Sequence, residues 1–447
     1  MTRMTIAPRA AAVGVAVAML ALAGCGSGST TPPASSSSPS ESSTAGGGGA
    51  GVELNWYAFN LNTSTAMADI VTAFEEANPG VTVTLETAPP NVDTVRGTLT
   101  TKITGGSPTP DVYTADIVWT NQFAKANLVS DLTDLITPEA RAQTRPELLE
   151  GGMSGGRLYC VPFVADVGIM YYRTDLLDAA GLPYPTTWEE LAQTAAKLQK
   201  EGAVKHGLVW RGAPYEGLSM FWTELIATAG GSSVNADYTE ATIDSEAGRK
   251  ALNFLVGTIK SGVSPQAVST FQETEAMNVF NEGDAVFMAS NAYVWGTTQD
   301  PAVSKVVGKV AMAPMPTFEG QPSPGYSATG GSTLCLNPNT EHQAEAVKLI
   351  EFMAGPVAQR ILATTGQVIP TATEVQSDPE VAKANPPVAV LPELNIVNRP
   401  AGTSDYASLS QAIYQNINAA ASGTKSPEDA LKSAQEEINT VLKGGGI

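Results

Sequence analysis

The sequence predicts an α/β fold in which strands and helices alternate along the chain. Short segments with alternating apolar residues precede segments in which apolar residues recur every three or four positions. Turn residues such as Asn78-Pro79-Gly80 separate the two kinds of segment. This order of elements is typical of layered α/β proteins, and it favours mainly parallel sheets.

The first elements begin near residue 52. Residues 52–59 and 81–85 are predicted strands, with Asn60-Leu61-Asn62 as a turn after the first. Between them, Met67, Ile70, Val71 and Phe74 have the spacing of one helix face. Two further short strands are predicted at 111–114 and 169–173.

Later helices are marked by their caps and apolar stripes. Thr187 and Glu190 form a capping-box pattern that begins a helix at Trp188. Ser426-Pro427 begins the last helix, since proline suits a first helical position, and Gly444-Gly445-Gly446 ends it. Three other helical stripes are Leu252, Leu255, Val256 and Ile259; Val347, Ile350 and Met353; and Tyr406, Leu409, Ile413, Ile417 and Ala420.

Composition excludes some partners. The chain has 447 residues with 43% hydrophobic and 15% charged residues, enough for two or three domains. Its formal net charge of −19 argues against nucleic acid, whose phosphates need Lys and Arg. The same acidity weakly disfavours an anionic ligand, because a local basic pocket could override it.

The N-terminus has the pattern of a secretory signal. Arg3 and Arg9 precede an apolar run at 10–22, which is too short for a permanent membrane span. Leu22-Ala23-Gly24-Cys25 resembles a bacterial lipobox. Residues 1–24 are therefore a predicted signal peptide, and Cys25 is a predicted lipidation site. The alternative is an ordinary signal peptide with a cysteine there by chance.

The segment 25–52 is predicted to be a disordered tether, because it is rich in Gly, Ser, Thr, Pro and Ala and has little to bury. The mature protein would then be lipid-anchored at the cell membrane and face the extracytoplasmic side. No later apolar run has the length of a membrane span.

The remaining cysteines are Cys160 and Cys335. In an oxidising compartment they could form one disulfide or be two buried small hydrophobes. His206 and His342 lie far apart with no Cys, Asp or Glu at metal spacing. The sequence therefore predicts no metal site and no cofactor.

Catalytic motifs are weak. Gly152-Met153-Ser154-Gly155-Gly156 matches the G-x-S-x-G pattern, but a nucleophile elbow needs a strand before it and a helix after it. Here the preceding stretch is helical and the following one is strand-like, so a loop entering a strand fits better. No phosphate-binding glycine loop is present. We therefore predict no catalytic residue.

The chain after residue 52 resembles the family-1 extracellular solute-binding proteins, the sugar-capturing lipoproteins of ABC importers. The resemblance depends on the order of many short motifs over most of the chain. These are Ile70-Val71 with Phe74, Asn78-Pro79-Gly80-Val81, Asp111-Val112-Tyr113, Asp116-Ile117-Val118-Trp119, Tyr159 with Val161-Pro162-Phe163, Met170-Tyr171-Tyr172-Arg173 with Asp175-Leu176-Leu177, the stretch 185–191, Tyr215-Glu216-Gly217-Leu218, Phe280-Asn281-Glu282-Gly283 with Ala285, and Gly330-Gly331.

Asp116 to Trp119 with Phe123, and Arg399-Pro400 followed by Tyr406 and Ser410, are most similar to the trehalose/maltose-binding branch, including a mycobacterial lipoprotein that recycles trehalose. The resemblance implies a two-lobe, periplasmic-binding-protein-like (type II) fold with a ligand cleft between the lobes. Lobe 1 would comprise 53–160 and 330–370, and lobe 2 would comprise 161–329 and 371–447. Cys160 and Cys335 then both fall on segments that cross between lobes, which favours a disulfide that stiffens the hinge.

The resemblance also implies a set of ligand-binding residues. Carboxylates, amides and Arg bind sugar hydroxyls, and aromatic rings stack on sugar C–H faces. Asp116 is expected to accept bonds from hydroxyls, its alternative role being a helix N-cap. Arg399 matches the branch's Arg, its alternative being a surface salt bridge. The further candidates are Asp166, which lies between apolar neighbours; Gly330 and Gly331, which permit close backbone approach; and Asn291, Tyr293, Trp222, Tyr57 and Asn60.

Relatives often carry Asn-Trp-Pro-Tyr-Ala-Trp where this chain has Ser290-Asn291-Ala292-Tyr293-Val294-Trp295. Asn291 thus replaces one stacking ring with an amide. The expected function is a monomeric receptor that captures a neutral di- or oligosaccharide by lobe closure and delivers it to an ABC permease. The alternatives are a polyol or glycerophosphodiester cargo, or a secreted glycoside hydrolase.

Overall fold

The computed structural model describes residues 51–59, 65–403 and 405–444. The predicted signal peptide, Cys25, nearly all of the tether and the candidate Asn60 lie outside these residues. None of the helices in the described ranges combines the length and the apolar character that a membrane span requires.

The strands and helices alternate along the chain as predicted. The strands are β1 Val52–Ala58, β2 Val81–Thr87, β3 Val112–Asp116, β4 Met153–Ser154, β5 Arg157–Leu158, β6 Cys160–Arg173, β7 His206–Val209, β8 Ala285–Asn291, β9 Val310–Ala313, β10 Tyr326–Leu336, β11 Ile369–Pro370 and β12 Asn395–Val397. Short 3-10 helices lie at Ile117–Trp119, Glu150–Gly152, Gln266–Thr270, Ala292–Val294 and Leu391–Glu393.

The α-helices are α1 Ala66–Ala77, α2 Val92–Thr104, α3 Thr120–Lys125, α4 Pro138–Gln143, α5 Pro146–Leu149, α6 Thr174–Ala180, α7 Trp188–Lys200, α8 Glu216–Thr228, α9 Glu246–Lys260, α10 Glu273–Asn281, α11 Trp295–Thr298, α12 Gln343–Ala354, α13 Pro356–Thr364, α14 Thr373–Gln376, α15 Pro379–Ala384, α16 Pro386–Val390, α17 Tyr406–Ala421 and α18 Pro427–Leu442. The capping box of Thr187 and Glu190 is formed, and Pro427 begins α18 after its N-cap Ser426.

The prediction of mainly parallel sheets is wrong. One ten-stranded sheet has the main order β2-β1-β3-β10-β6-β8-β7. β1 pairs in parallel with β2 and β3, and β7 pairs in parallel with β8. The two long strands β6 and β10 run antiparallel to each other, β10 runs antiparallel to β3, and β6 runs antiparallel to β8. The sheet is mixed because these two strands pass from one group of parallel strands to the other.

Two lobes follow from this topology. The first part of β6 pairs with β10, and the part from Gly168 onwards pairs with β8 and β9. In one lobe, α1, α12 and α13 pack on β1, β3 and the far end of β10 around Phe74, Leu334 and Ile350. In the other, α7, α8, α9, α17 and α18 form a larger apolar core. The exact residues at which the chain changes lobe stay a prediction.

A disulfide joins Cys160 to Cys335, whose Cα atoms are 4.5 Å apart. The two residues face each other in the register of β6 and β10, and both are buried in the first lobe's apolar cluster with Tyr113 and Phe123. The bond therefore links two neighbouring strands inside one lobe. The bond does not join one lobe to the other. Its position therefore does not support the expected stiffening of the hinge.

The G-x-S-x-G segment is a hairpin. β4 pairs antiparallel with β5, and Gly155 and Gly156 between them have φ values of 56° and 79°. Glycine adopts such left-handed angles without steric cost, so the pattern serves a tight turn. The absence of a following helix agrees with the predicted non-catalytic interpretation of this segment.

Candidate functional site

A cleft lies where the two lobes and the crossing strands meet. Its empty space, counted with the open solvent at the mouth, is about 1140 Å³. The lining residues are Phe59, Met67, Pro89, Pro90, Val92, Asp116, Val164, Asp166, Arg211, Tyr215, Glu216, Gly217, Met220, Gln272, Glu273, Thr274, Asn291, Tyr293, Gly330, Gly331, Ser332 and Arg399. It therefore collects most of the predicted ligand-binding residues.

Ends of secondary-structure elements position its polar groups. Asp116 ends the fully buried strand β3, and Asn291 ends the fully buried strand β8. Glu216 begins α8 and Glu273 begins α10. α/β proteins bind ligands at the carboxyl ends of their strands, where the loops and the starts of the following helices border a crevice.

Arg399 is the centre of one cluster, made of Asp116, Glu216 and Arg399. Its Nη1 and Nη2 donate to Asp116 Oδ2 and Oδ1 at 3.0 and 2.5 Å. Nη1 also donates to Glu216 Oε1 at 2.8 Å, and Nε donates to the carbonyl of Thr329 at 3.1 Å. Arg399 is only 4% exposed. The fork thus connects the end of β3, the start of α8 and the crossing strand β10.

The alternative roles considered for Asp116 and Arg399, a helix N-cap and a surface salt bridge, are each partly realised in the structure. Asp116 Oδ1 accepts the backbone N–H of Val118 at 3.2 Å, so this carboxylate also caps the 3-10 turn after β3. Arg399 does form an ion pair, but the pair is buried and opens on the cleft. A bidentate pair is more rigid than a point contact, so each residue fixes the other's geometry.

Both carboxylate oxygens and the backbone N–H of Glu216 form hydrogen bonds. Its Oε1 also accepts from the hydroxyl of Tyr406 and its Oε2 from the hydroxyl of Ser410, both at 2.5 Å. Burial raises the pKa of the Glu216 carboxyl, while Arg399 opposes that rise. The backbone N–H of Glu216 donates to Asp93 Oδ2 of α2 at 3.2 Å, which links the start of α8 to the first lobe.

A second cluster consists of Asp166, Arg211, Glu273, Asn291 and Tyr293. Asn291 Nδ2 donates to Asp166 Oδ2 at 2.5 Å, and its Oδ1 accepts from Arg211 Nη1. Arg211 Nη1 also donates to Glu273 Oε1 at 3.2 Å. Tyr293 donates its hydroxyl to Glu273 Oε2 at 2.8 Å and its backbone N–H to Asp166 Oδ1 at 3.2 Å. Asn291 therefore bridges a carboxyl and a guanidinium.

The surroundings of Asp166 favour the protonated form of its carboxyl. Burial raises its pKa from 3.8 to about 7, and the nearby Glu273 adds to the rise, while the bond from Asn291 opposes it. A carboxyl in this state can both donate and accept hydrogen bonds. A ligand hydroxyl, which also does both, is a suitable partner.

The floor of the cleft is bare backbone at Gly330 and Gly331. A Cβ on Gly331 would lie 2.3 Å from the carbonyl oxygen of Val164, and its φ of +117° is unfavourable for other residues. A Cβ on Gly330 would meet Met220, Asn291 and Asp166 at 3.2–3.4 Å. The two glycines therefore let β10 approach β6 closely and leave room above the strand.

Two of the predicted residues do not line the cleft, and these predictions are wrong. Trp222 is 0% exposed within the second lobe's core, and its Nε1 donates to Ser233 Oγ at 3.1 Å. Tyr57 is 4% exposed in the first lobe's core, with Lys102 Nζ 5.5 Å from its ring centroid. Aromatic residue type alone did not indicate which way each ring faces.

Sequence reasoning missed Arg211, Glu216 and Glu273. Arg211 comes just after the buried strand β7, which is the same signal that pointed to Asp116 after β3. Glu216 lay in the motif Tyr215-Glu216-Gly217-Leu218 but received no role. Glu273 resembles any acidic first-turn residue, and nothing local distinguished it.

The described residues contain no group of three or more His, Cys, Asp and Glu side chains arranged to hold a metal ion. The chemistry of the cleft is that of hydrogen bonding, with rigid guanidinium donors, carboxyl acceptors and the two phenols of Tyr215 and Tyr293. Apolar walls come from Phe59, Met67 and Met220. Such a mixture suits a ligand with many hydroxyls.

Comparison with known proteins agrees with this geometry. The family model described as bacterial extracellular solute-binding protein matches residues 60–360. A probable ABC transporter-binding protein of Deinococcus radiodurans is 31% identical over 347 residues, covering 75% of this chain and 80% of that one. The maltose-bound MalE3 of T. maritima has a TM-score of 0.81 and 29% identity, covering 87% of this chain and 100% of that one.

A mannitol-binding protein of Pseudomonas aeruginosa is 28% identical over 238 residues, which are 53% of this chain and 52% of the relative. The fold is that of the two-lobe maltose-binding proteins, with a mixed sheet shared between the lobes.

Proposed function

The chain belongs to the bacterial extracellular solute-binding proteins, and from that premise we propose that its cleft captures a neutral di- or oligosaccharide of the maltose or trehalose kind. The lobes close on the sugar, and the loaded protein delivers it to the membrane subunits of an ABC importer. The members of this family bind solutes and are not enzymes, so the hydrolase alternative is set aside.

The observation that carries the proposal is the pairing of charges in the cleft. Both guanidinium groups, Arg211 and Arg399, already face carboxylates, and the lining carboxyls outnumber them. An anionic ligand would have to displace a buried carboxylate from its cation, at a cost of several kcal/mol. A neutral polyhydroxylated ligand adds hydrogen bonds to paired charges instead.

Apolar surface supports a ring-shaped sugar over a linear polyol. Phe59 and Tyr293 line the cleft and are each partly exposed, while Met67 and Met220 add further apolar area. Aromatic faces stack on the C–H faces of pyranose rings, which an extended polyol does not present in one plane.

The names of relatives favour the same class. A structure with maltose bound is among those most similar to this chain, which supports the trehalose/maltose branch. A relative named for mannitol keeps a polyol as the second candidate. The paired charges of the cleft disfavour a glycerophosphodiester, because that ligand is anionic.

The proposal includes the membrane anchor and the lobe assignment. Cys25 after Leu22-Ala23-Gly24 supports lipidation, and the polar segment that follows supports a tether that holds the monomer near its permease on the extracytoplasmic side. The lobes are proposed to comprise 53–160 with 330–370, and 161–329 with 371–447.

A thermal-shift panel tests the function. The mature protein is heated with maltose, trehalose, maltotriose, mannitol, glycerophosphocholine, an amino acid and buffer alone. We expect a rise in Tm with at least one disaccharide or oligosaccharide that exceeds the rise with mannitol. Glu273→Gln should reduce that rise, whereas Glu436→Gln, an exposed change on α18, should leave it intact. A rise only with the phosphodiester or the amino acid would overturn the proposal.

A further inference from the structure

Glu224 of α8 lies against both crossing strands, β6 and β10, and does not line the cleft. It is 0% exposed, and its Oε1 accepts the backbone N–H of Ala328 on β10 at 3.3 Å. On the β6 side, a Cβ added to Gly168 would lie 1.4 Å from the same oxygen. The carboxyl therefore occupies space that only a glycine leaves free, at the point where β6 turns from β10 to β8.

Arg211 lies between Glu224 and the cleft, and only one of its three guanidinium nitrogens, Nη1, donates hydrogen bonds to side-chain oxygens. Nη1 bonds Asn291 and Glu273 of the cleft. Nε and Nη2 are buried and find no hydrogen-bond partner among the described residues. Nη2 is 3.8 Å from Glu224 Oε2, which is also buried and unpartnered. That separation is too long for a hydrogen bond, although the charges attract.

The surroundings of Glu224 favour its neutral form. Burial raises the pKa of the Glu224 carboxyl to about 8, with Asp166 adding to the rise, while Arg211, the Ala328 N–H and Arg399 oppose it. Of the strands packed on α8, β6 carries the buried Asp166 and, at its far end, the buried Arg173, which is bonded to Asp175. The helices α17 and α9 bring no further buried charge. α17 has no charged residue, and the Glu, Arg and Lys side chains of α9 are exposed.

We propose that Glu224 is a positioning residue for the sugar site proposed above, and that its protonation state decides which side of Arg211 is bonded. With Glu224 neutral, Arg211 stays on Asn291 and Glu273 and the cleft has the arrangement described. With Glu224 ionised, the gap of 3.8 Å closes to a charge-assisted hydrogen bond, and the guanidinium is drawn off the cleft.

The direction of the pH dependence follows. The ligand binds best to the form with Glu224 protonated, so its affinity falls as pH rises through about 8, the pKa of Glu224. Since one hydrogen bond to a charged group is at stake, the loss between pH 6 and pH 9.5 should be about ten- to thirtyfold in Kd. Burial raises the pKa of Asp166 to about 7, so this carboxyl adds a change of affinity with pH, and the Glu224→Gln variant below retains that change.

Calorimetric titration with the sugar that raises Tm most tests the link. Wild type should lose affinity above pH 7.5, whereas Glu224→Gln, which cannot ionise, should keep its pH 7.5 affinity to within about twofold up to pH 9.5. Glu436→Gln should behave as wild type. Superimposable profiles for wild type and Glu224→Gln would overturn the proposal.

A ligand-free readout separates this inference from the proposed function. In protein with ¹³C-labelled Glu and ¹⁵N-labelled Arg, the carboxyl signal that is absent in Glu224→Gln should titrate near pH 8, and the ¹⁵Nε signal of Arg211 should shift with the same midpoint. A Glu224 midpoint near its ordinary 4.5, or an Arg211 signal that does not follow it, would overturn the link even if the sugar binds.

If no sugar binds, the proposed function fails, and the nuclear magnetic resonance result still decides the Glu224–Arg211 link. Should Glu224→Gln not fold, Arg211→Lys serves as the second variant. It removes Nε and Nη2, so the affinity should lose its change above pH 7.5. Persistence of that change in Arg211→Lys would contradict the proposal.

Discussion

Arg399 holds the carboxylate of Asp116 through two hydrogen bonds, of 3.0 and 2.5 Å, although 283 residues separate them in the chain. The same guanidinium reaches Glu216 at 2.8 Å. Two residues that sequence reasoning assigned to the ligand are thus bonded to each other. Whatever they contribute to a ligand, they also connect the first lobe to α8 of the second.

Arg399→Ala should abolish sugar binding and destabilise the protein by about 3–5 kcal/mol, because Asp116 and Glu216 would remain buried without their cation. Urea unfolding and a titration with the sugar measure the two effects. Arg360→Ala removes an Arg from an exposed pair with Asp378 and should change both very little. Equal effects of the two variants would refute the role given to Arg399.

Gly331→Ala should destabilise the protein by about 1–3 kcal/mol and weaken sugar binding, because a non-glycine residue at φ +117° is strained and its Cβ would meet the Val164 carbonyl at 2.3 Å. The matched control is Gly257→Ala on α9, where a Cβ meets nothing within 4 Å. That change should stabilise by up to about 1 kcal/mol. If Gly331→Ala behaves like the control in thermal unfolding, the close approach of β10 to β6 is not needed.

Replacing both Cys160 and Cys335 by Ala should cost about 2–5 kcal/mol in unfolding free energy, since the bond closes a loop between residues 175 positions apart. Sugar affinity should stay within about twofold of wild type, because neither cysteine lines the cleft. Reductant should lower the stability of wild type and leave the double variant unchanged. A large loss of affinity at unchanged stability would mean that the disulfide acts on the hinge after all.

Asp166→Asn should make stability less dependent on pH. The folded-state pKa of Asp166, about 7, lies above its ordinary 3.8, so the folded state binds this proton more tightly. Stability due to the proton is complete below pH 4 and is lost as pH rises through 7. Between pH 5 and pH 8 wild type should therefore lose roughly 1–3 kcal/mol relative to Asp166→Asn.

Urea unfolding at both pH values checks this, with the exposed Asp237→Asn as control, which should follow wild type. If the free energy of unfolding changes with pH by the same amount in wild type and in Asp166→Asn, the buried environment assigned to Asp166 is contradicted.

Local patterns predicted most elements of the fold. The apolar periodicity at 67–74 is α1, the capping box at Thr187 begins α7, and Pro427 begins α18. The strand direction was not predictable in the same way. The sequence predicts only a short strand at 169–173 and a strand-like stretch after the G-x-S-x-G segment. The continuity of β6 from Cys160 to Arg173 depends on partner strands on both sides that lie far away in sequence.

Most of the predicted residues that line the cleft came from the resemblance, which supplied Asp116, Asn291, Tyr293 and the glycine pair. Asp166 was also marked by a local anomaly, a charge between apolar neighbours. Glu273 carries no such anomaly, since an acidic residue in a helix's first turn is common. Trp222 and Tyr57 had the right chemistry but face the cores, because a ring's direction is decided by packing that the sequence does not display.

The most direct test of the account is a crystal structure of the mature protein grown with the sugar that raises its Tm most. We predict one sugar molecule in the cleft, with hydroxyls within hydrogen-bond distance of the Arg399 cluster (Asp116, Glu216 and Arg399) and of the second cluster around Asp166, and with a ring face on Phe59 or Tyr293. A sugar bound elsewhere, or an anion that has displaced Asp116 from Arg399, would contradict it.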